Sequence, residues 1–199
     1  MVSLTGPAVA KAQEPVTIEA LLKEVRERLS DILYGEEDET MESVVGRLLN
    51  EQQLTLAVAE SCTGGLIGHR LTQVPGASAY VDRVAVTYSN RAKVEMLGVP
   101  SGLLKRHGAV SADVAAAMAR GIRERSGASV GVSVTGIAGP GGATESKPVG
   151  LVYVGLDGGP GEAMTKEFRF HGGDRTVIKQ RSSQAALDLL RRWLIKKGC

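Results

Sequence analysis

Residues 57–65 read Ala-Val-Ala-Glu-Ser-Cys-Thr-Gly-Gly, a short apolar run that ends in a carboxylate, two hydroxyls, a thiol and two glycines. Leu54, Leu56 and Val58 lead into it, and Leu66, Ile67 and Leu71 leave it at helical spacing, so the segment reads as strand, tight loop and helix. Strands that hand over to helices in this way build sheets with helices packed on them. The same order puts Ser61 and Thr63 beside free helix N-terminal amides, a setting suited to an anion or an oxyanion.

The remaining pattern extends that architecture. Ile18, Leu21, Leu22, Val25, Leu29 and Ile32 recur at helical spacing, predicting a helix that ends near Gly35, and Glu36 to Glu39 follow as an acidic linker. Thr40 is placed to cap a helix carrying Val44, Val45, Leu48 and Leu49 on one face. Pro75 to Tyr80 reads as a loop, Val84 to Tyr88 as a buried strand, and Asn90 to Leu97 as a helix closed by Gly98. Ser111 caps a helix that ends near Gly127, and Val130, Val132 and Val134 alternate as a strand. Val149 to Leu156 and Met164 to Phe170 form an antiparallel hairpin about a turn at Asp157 to Gly161, and a last helix runs from near Asp174 toward Lys197. The expected fold is a three-layer α/β/α sandwich with a mixed sheet, a C-terminal hairpin and a long final helix. Its expected divisions are a mobile tail at 1–16, a helix and acidic linker at 17–39, and the main domain at 40–199.

Composition narrows the function. A net charge of +2 over 199 residues is too small for a nucleic-acid surface, and two Phe and one Trp leave little for stacking bases. Arg191, Arg192, Lys196 and Lys197 read as a solvated helix end. No apolar run reaches the roughly 20 residues a bilayer span requires, and no signal-peptide pattern opens the chain. With Cys62 inside the first loop and Cys199 at the last position, no structural disulfide is expected, which agrees with a reducing cytoplasm. Neither a nucleic acid nor a membrane is an expected partner.

A second glycine-rich segment, Thr135 to Pro148, follows the Val130 strand, where ligands of open α/β sheets gather. It matches neither a Walker A loop, since Lys147 follows Ser146 and precedes Pro148, nor the three-glycine dinucleotide spacing. Ser61 is not in a nucleophile elbow, because Ala59 and Thr63 stand where glycines would flank it. His69 falls in a helix, His107 in a turn and His171 in a glycine-rich turn, which gives a Ser-His-Asp triad little support and shows no metal-ligand spacing with Cys62. No metal or cofactor is expected. Lys93 is a candidate base if burial lowers its pKa, although its position also suits a helix-surface lysine. Tyr88 reads as a strand residue at a sheet edge, and Cys62 competes with Ser61 as nucleophile.

Four ordered blocks carry a resemblance: Ala59-Glu60-Ser61-Cys62-Thr63-Gly64-Gly65, Thr87-Tyr88-Ser89-Asn90-Arg91-Ala92-Lys93, His107-Gly108-Ala109-Val110-Ser111, and Thr135-Gly136-Ile137-Ala138-Gly139-Pro140 through Lys147-Pro148-Val149-Gly150. Over about residues 40 to 197 the chain resembles the CinA carboxy-terminal domain family, and Leu33 to Glu36 resembles the segment joining that domain to an amino-terminal molybdopterin-binding-like domain in longer CinA proteins. The resemblance implies hydrolytic deamidation of nicotinamide mononucleotide to nicotinic acid mononucleotide and ammonia, in a homodimer. It makes Ser61 the nucleophile, Lys93 its base and Tyr88 a neighbour that polarises or relays the proton. It implies that the glycine loops hold the nucleotide; on that reaction the residues expected to bind substrate are Glu60, Thr63, Gly64, Gly65, Asn90, Thr135, Gly136, Gly139, Gly141, Gly142, Thr144 and Lys147, with Glu145 on the same wall as the last two and amides near Thr63 to Gly65 facing the oxyanion. The family usually carries glycine where this chain has Val84, and a β-branched side chain there is expected to narrow the pocket or shift the strand bearing Tyr88. The alternative reading is a catalytically silent nucleotide-binding or protein-interaction module of the same fold.

Overall fold

The computed structural model describes residues 17–29, 32–161 and 163–198, so the expected tail at 1–16 lies outside the described residues. The chain divides into two units, Met1–Glu36 and Glu37–Cys199, with the boundary inside the acidic run. In the first, α1 (Ile18–Leu29) buries none of its side chains, and Arg26 pairs with Glu36 at 2.6 Å. The helix stops short of the expected Gly35: the amides of Ile32 and Leu33 both turn back to the Leu29 carbonyl.

The second unit begins with a reciprocal cap. The Ser43 amide donates to Thr40 Oγ1 at 3.2 Å and the Thr40 amide donates to Ser43 Oγ at 3.0 Å, starting α2 (Met41–Glu51). The chain continues through β1 (Leu56–Glu60), α3 (Leu66–Thr72), a 3₁₀ turn (Ala77–Ala79), β2 (Val81–Val86), α4 (Asn90–Leu97), α5 (Ser101–His107) and α6 (Ala112–Ser126). β3 (Val130–Gly136), β4 (Leu151–Asp157), β5 (Ala163–Arg169) and α7 (Arg175–Gly198) complete it. Ser89 and Ser111 cap α4 and α6, and Gly98 and Gly127 end them in the left-handed conformation.

The five strands form one mixed sheet in the order β2-β1-β3-β4-β5. β1 runs parallel to both β2 and β3, while β4 is antiparallel to β3 and β5. Alternation along β1 divides the core: Leu56 and Val58 pack with α2, α3 and α7, and Ala57 and Ala59 with α4, α5 and α6. α6 lies almost on the strand backbones. A Cβ on Gly131 would stand 2.2 Å from the Ala119 carbonyl oxygen, and one on Gly155 would stand 2.5 Å from that of Ala115. On the other face, Arg70 of α3 joins Glu42 of α2 to Ser183 and Gln184 of α7.

Three expectations are corrected. The strand expected at Val84–Tyr88 begins at Val81, opposite Leu56, and ends at Val86; as an edge strand paired, among the described residues, to β1 alone, it is partly exposed rather than buried. α5 carries no periodic signal, because its seven residues hold only Leu103 and Leu104 as large apolar side chains; His107, expected in a turn, is its last residue. β4 starts at Leu151 rather than Val149, since the Gly150 amide is turned to the Ile137 carbonyl.

Val84 does not disturb this arrangement. Its side chain faces α3, and its methyls lie 2.8 and 2.9 Å from where a Cβ on Gly68 would stand. The valine fills the space left by a glycine on the neighbouring helix, while Val84, Ala85 and Val86 keep register with Val58, Ala59 and Glu60. Gly68→Ala is therefore expected to destabilise the protein by about 1–3 kcal/mol through overpacking. Adding Val84→Ala should recover most of that loss, which a double-mutant cycle in urea unfolding measures.

Candidate active site

The C-terminal ends of β1, β2 and β3 open toward one edge of the sheet, and the turn after β1 sits among them. The Ser61 amide donates to the Val134 carbonyl at 3.0 Å, continuing the β1–β3 ladder one residue past the strand. Glu60 is fully buried, and its carboxylate accepts from the amides of Gly65 at 2.9 Å, Ile67 at 3.2 Å and Gly68 at 2.9 Å. The first turn of α3 is thus occupied by a carboxylate of the chain itself, and its amides are not free for a ligand as the sequence suggests. Gly64 and Gly65, with φ of 64° and 95°, let the backbone reverse in two residues. Thr63 is buried beside them, its hydroxyl without a hydrogen-bond partner among the described residues.

Lys93 enters from the first turns of α4 and is only 1% exposed. Its Nζ lies 2.9 Å from Ser61 Oγ and donates to the carbonyls of Thr87 at 2.7 Å and Tyr88 at 3.4 Å. Burial lowers its pKa to about 8. A neutral amine has two N–H bonds and one lone pair; with both hydrogens directed at the two carbonyls, the lone pair faces the serine hydroxyl. Cys62 is 5% exposed and, chiefly through burial, its thiol is pushed up to about 12, so it carries almost no thiolate at neutral pH.

A cavity of about 230 Å³ opens onto this pair. Of the residues singled out from sequence, Ser61, Cys62, Lys93, Tyr88, Thr135, Gly136, Gly139, Gly141 and Gly142 line it. Glu60, Thr63, Gly64 and Gly65 instead shape the turn that carries Ser61 and do not line it, and Glu60 is committed to α3. Asn90 borders a different depression, with Val94 and Leu104. Thr144 and Lys147 close a turn on each other, the Thr144 amide donating to the Lys147 carbonyl at 2.9 Å, and Glu145 is exposed between them. The Lys147 ammonium points to the carbonyls of His107 and Val110 rather than into the cavity. None of the three histidines lines the cavity; His107 Nδ1 lies 3.3 Å from Asp113. A larger depression of about 410 Å³ between α4–α5 and α6 contains no nucleophile beside a base. Among the described residues no group of three or more His, Cys, Asp or Glu side chains is placed to hold a metal ion, and no helix is long and apolar enough to cross a membrane.

Sequence reasoning missed Arg175. From the first residue of α7 its guanidinium donates to the Gly139 carbonyl at 2.8 Å and to the Tyr88 hydroxyl at 2.7 Å, placing a cation on the cavity wall. One signal was available: a cation in the first turn opposes the helix dipole, so a local role is disfavoured there.

Residues 38–194 match the CinA C-terminal domain. The chain belongs to that family. A Moorella thermoacetica protein named as competence-damage inducible is 53% identical over 196 residues, 97% of this chain and 47% of that protein. A CinA-like protein of Thermosynechococcus vestitus is 48% identical over 193 residues, 96% of this chain and 46% of that protein. The chain spans about half the length of the curated relatives it matches. The crystal structure of competence/damage inducible protein CihA from Agrobacterium tumefaciens superimposes with a TM-score of 0.74 at 41% identity, covering 80% of this chain and 98% of that one. The α/β fold of this CinA chain, with its mixed five-stranded sheet and long last helix, agrees with that structure.

The burial of Lys93 has a thermodynamic signature. Its pKa falls from an ordinary 10.5 to about 8 on folding, so between these values the unfolded chain holds a proton that the folded chain has released. Stability therefore rises with pH across that window, and below it the cost of burying the ammonium is present in full. Lys93→Met should lack this rise, as urea unfolding of both proteins from about pH 7 to about pH 10 would measure.

Proposed function

We propose that this CinA domain is a serine–lysine amidohydrolase that converts nicotinamide mononucleotide to nicotinic acid mononucleotide and ammonia. The observation that carries the reading is the buried Lys93 Nζ at 2.9 Å from Ser61 Oγ, with a pKa lowered to about 8. A base near neutrality within hydrogen-bond reach of a hydroxyl is what acyl transfer from an amide requires. The substrate comes from the family resemblance, and the cavity supports it: glycine backbone on one wall, small apolar side chains at Ala109 and Val110 on another, and the Arg175 cation for an anionic group. The seat of Val84 against Gly68 favours an unobstructed cavity over a silent one.

In this mechanism Ser61 Oγ attacks the carboxamide carbon as its proton passes to Lys93 Nζ. The tetrahedral oxyanion forms beside the turn, where the Gly64 amide is committed to the Ser61 carbonyl and the Gly65 amide to Glu60, so neither of these two is the donor it meets. Collapse breaks the C–N bond, and the leaving nitrogen takes the proton back from Lys93 and departs as ammonia. Water, deprotonated by the same amine, then attacks the acyl-serine ester. That step releases the carboxylate product and returns the proton to Ser61. Tyr88, held by Arg175, stands at the cavity beside this exchange.

Purified protein should release ammonia from nicotinamide mononucleotide. Ser61→Ala should lower the rate by about a thousandfold or more, and Lys93→Ala by about 10²–10⁴-fold. In the wild type the rate should climb with pH and level off above about 8, as Lys93 becomes neutral. Ammonia release indifferent to Ser61→Ala would remove the serine mechanism.

A further inference from the structure

Lys147 belongs to the second glycine-rich segment, yet its ammonium leaves that segment altogether. It donates to the His107 carbonyl at 2.6 Å and the Val110 carbonyl at 2.7 Å. The first acceptor is at the C-terminal end of α5, where the helix dipole favours a cation. Gly108 lies between the two acceptors, and a Cβ there would stand 3.2 Å from the lysine Nζ, so a bare backbone leaves room for the ammonium.

Of His107, Val110 and Lys147, Val110 lines the cavity, and Lys147 ends the glycine segment whose earlier residues line it too. Val110 and its neighbour Ala109 line one side, and Ala109 is fixed in turn to β3 by the Thr135 hydroxyl, which donates to its carbonyl at 2.8 Å. Gly139, Gly141 and Gly142 line the cavity from the second glycine-rich segment. Arg175 holds the start of that glycine stretch at the Gly139 carbonyl, and the Thr144–Lys147 turn closes its end. Between them, Gly141 has open space where a Cβ would point.

We propose that Lys147 is a positioning residue for the Ser61 cavity: by tying the glycine segment to the 107–110 segment it sets the separation of the two walls between which substrate binds. The inference rests on reading this cavity as the substrate site. Lys147 touches neither Ser61 nor Lys93, so its loss loosens the walls without altering the nucleophile or the base.

The test compares wild type, Lys147→Met and Lys147→Arg in ammonia release from nicotinamide mononucleotide and in amide hydrogen exchange over residues 139–150 without substrate. Lys147→Met should raise KM roughly tenfold, the effect of losing one charge-assisted contact's worth of order. It should leave kcat within about twofold and the rise in activity near pH 8 in place, and it should speed exchange in the glycine segment. Lys147→Arg, whose guanidinium offers donors to both carbonyls, should restore KM and protection. Wild-type KM and exchange in Lys147→Met would overturn the proposal, as would a fall in kcat at unchanged KM. Should the wild type release no ammonia, the deamidase reading fails separately, and exchange alone decides the tie: faster exchange supports it and unchanged exchange overturns it.

Discussion

The buried carboxylate of Glu60 holds the centre of this structure together. It ends β1 and, through the amides of Gly65, Ile67 and Gly68, starts α3, so one side chain makes the strand-to-helix reversal on which Ser61 stands. A carboxylate taken out of water is costly unless its oxygens find donors, and here three backbone amides at a helix N-terminus supply them. The same interaction decides where the site's electrostatics lie. With the α3 amides occupied, the basic groups of the cavity come from elements distant in sequence, Lys93 on α4 and Arg175 on α7.

That division explains what was legible in the sequence. Caps and stops are local chemistry, and Thr40, Ser89, Ser111, Gly98 and Gly127 take the roles their residue types suggest. Alternation identified β3, whose small and branched residues face both layers, but misplaced β2, because an edge strand is buried on fewer sides and its pattern fades. Glu60 is expected among the substrate-binding residues; only the fold reveals that its oxygens are taken by backbone amides instead. Lys93 was readable as a candidate, yet its burial depends on how α4 meets the end of β1, which no spacing within α4 encodes. Arg175 lies more than a hundred residues from Ser61, and Lys147 resembled a ligand-binding cation because its carbonyl partners carry no side-chain signal.

The separation of nucleophile and base is fixed by a closed circuit of bonds. The Thr87 amide donates to the Glu60 carbonyl at 2.7 Å, the Thr87 carbonyl accepts from Lys93 Nζ at 2.7 Å, and Nζ meets Ser61 Oγ at 2.9 Å. Ser61 follows Glu60 in the chain, which closes the ring. Because β2 is an edge strand, its exit past Val86 is free to bend, and Thr87 binds it back to β1 at the point where the bend must be accurate. The position of Lys93 therefore depends on backbone contacts at Glu60 and Thr87 more than on side chains along β2. A valine at position 84 is tolerable for that reason: it faces α3, on the other side of the ladder from the contacts that aim the base. Errors of about 1 Å in such a pair cost about a hundredfold in rate, and a ring of short bonds anchored in the sheet confines the error more tightly than packing of one strand could.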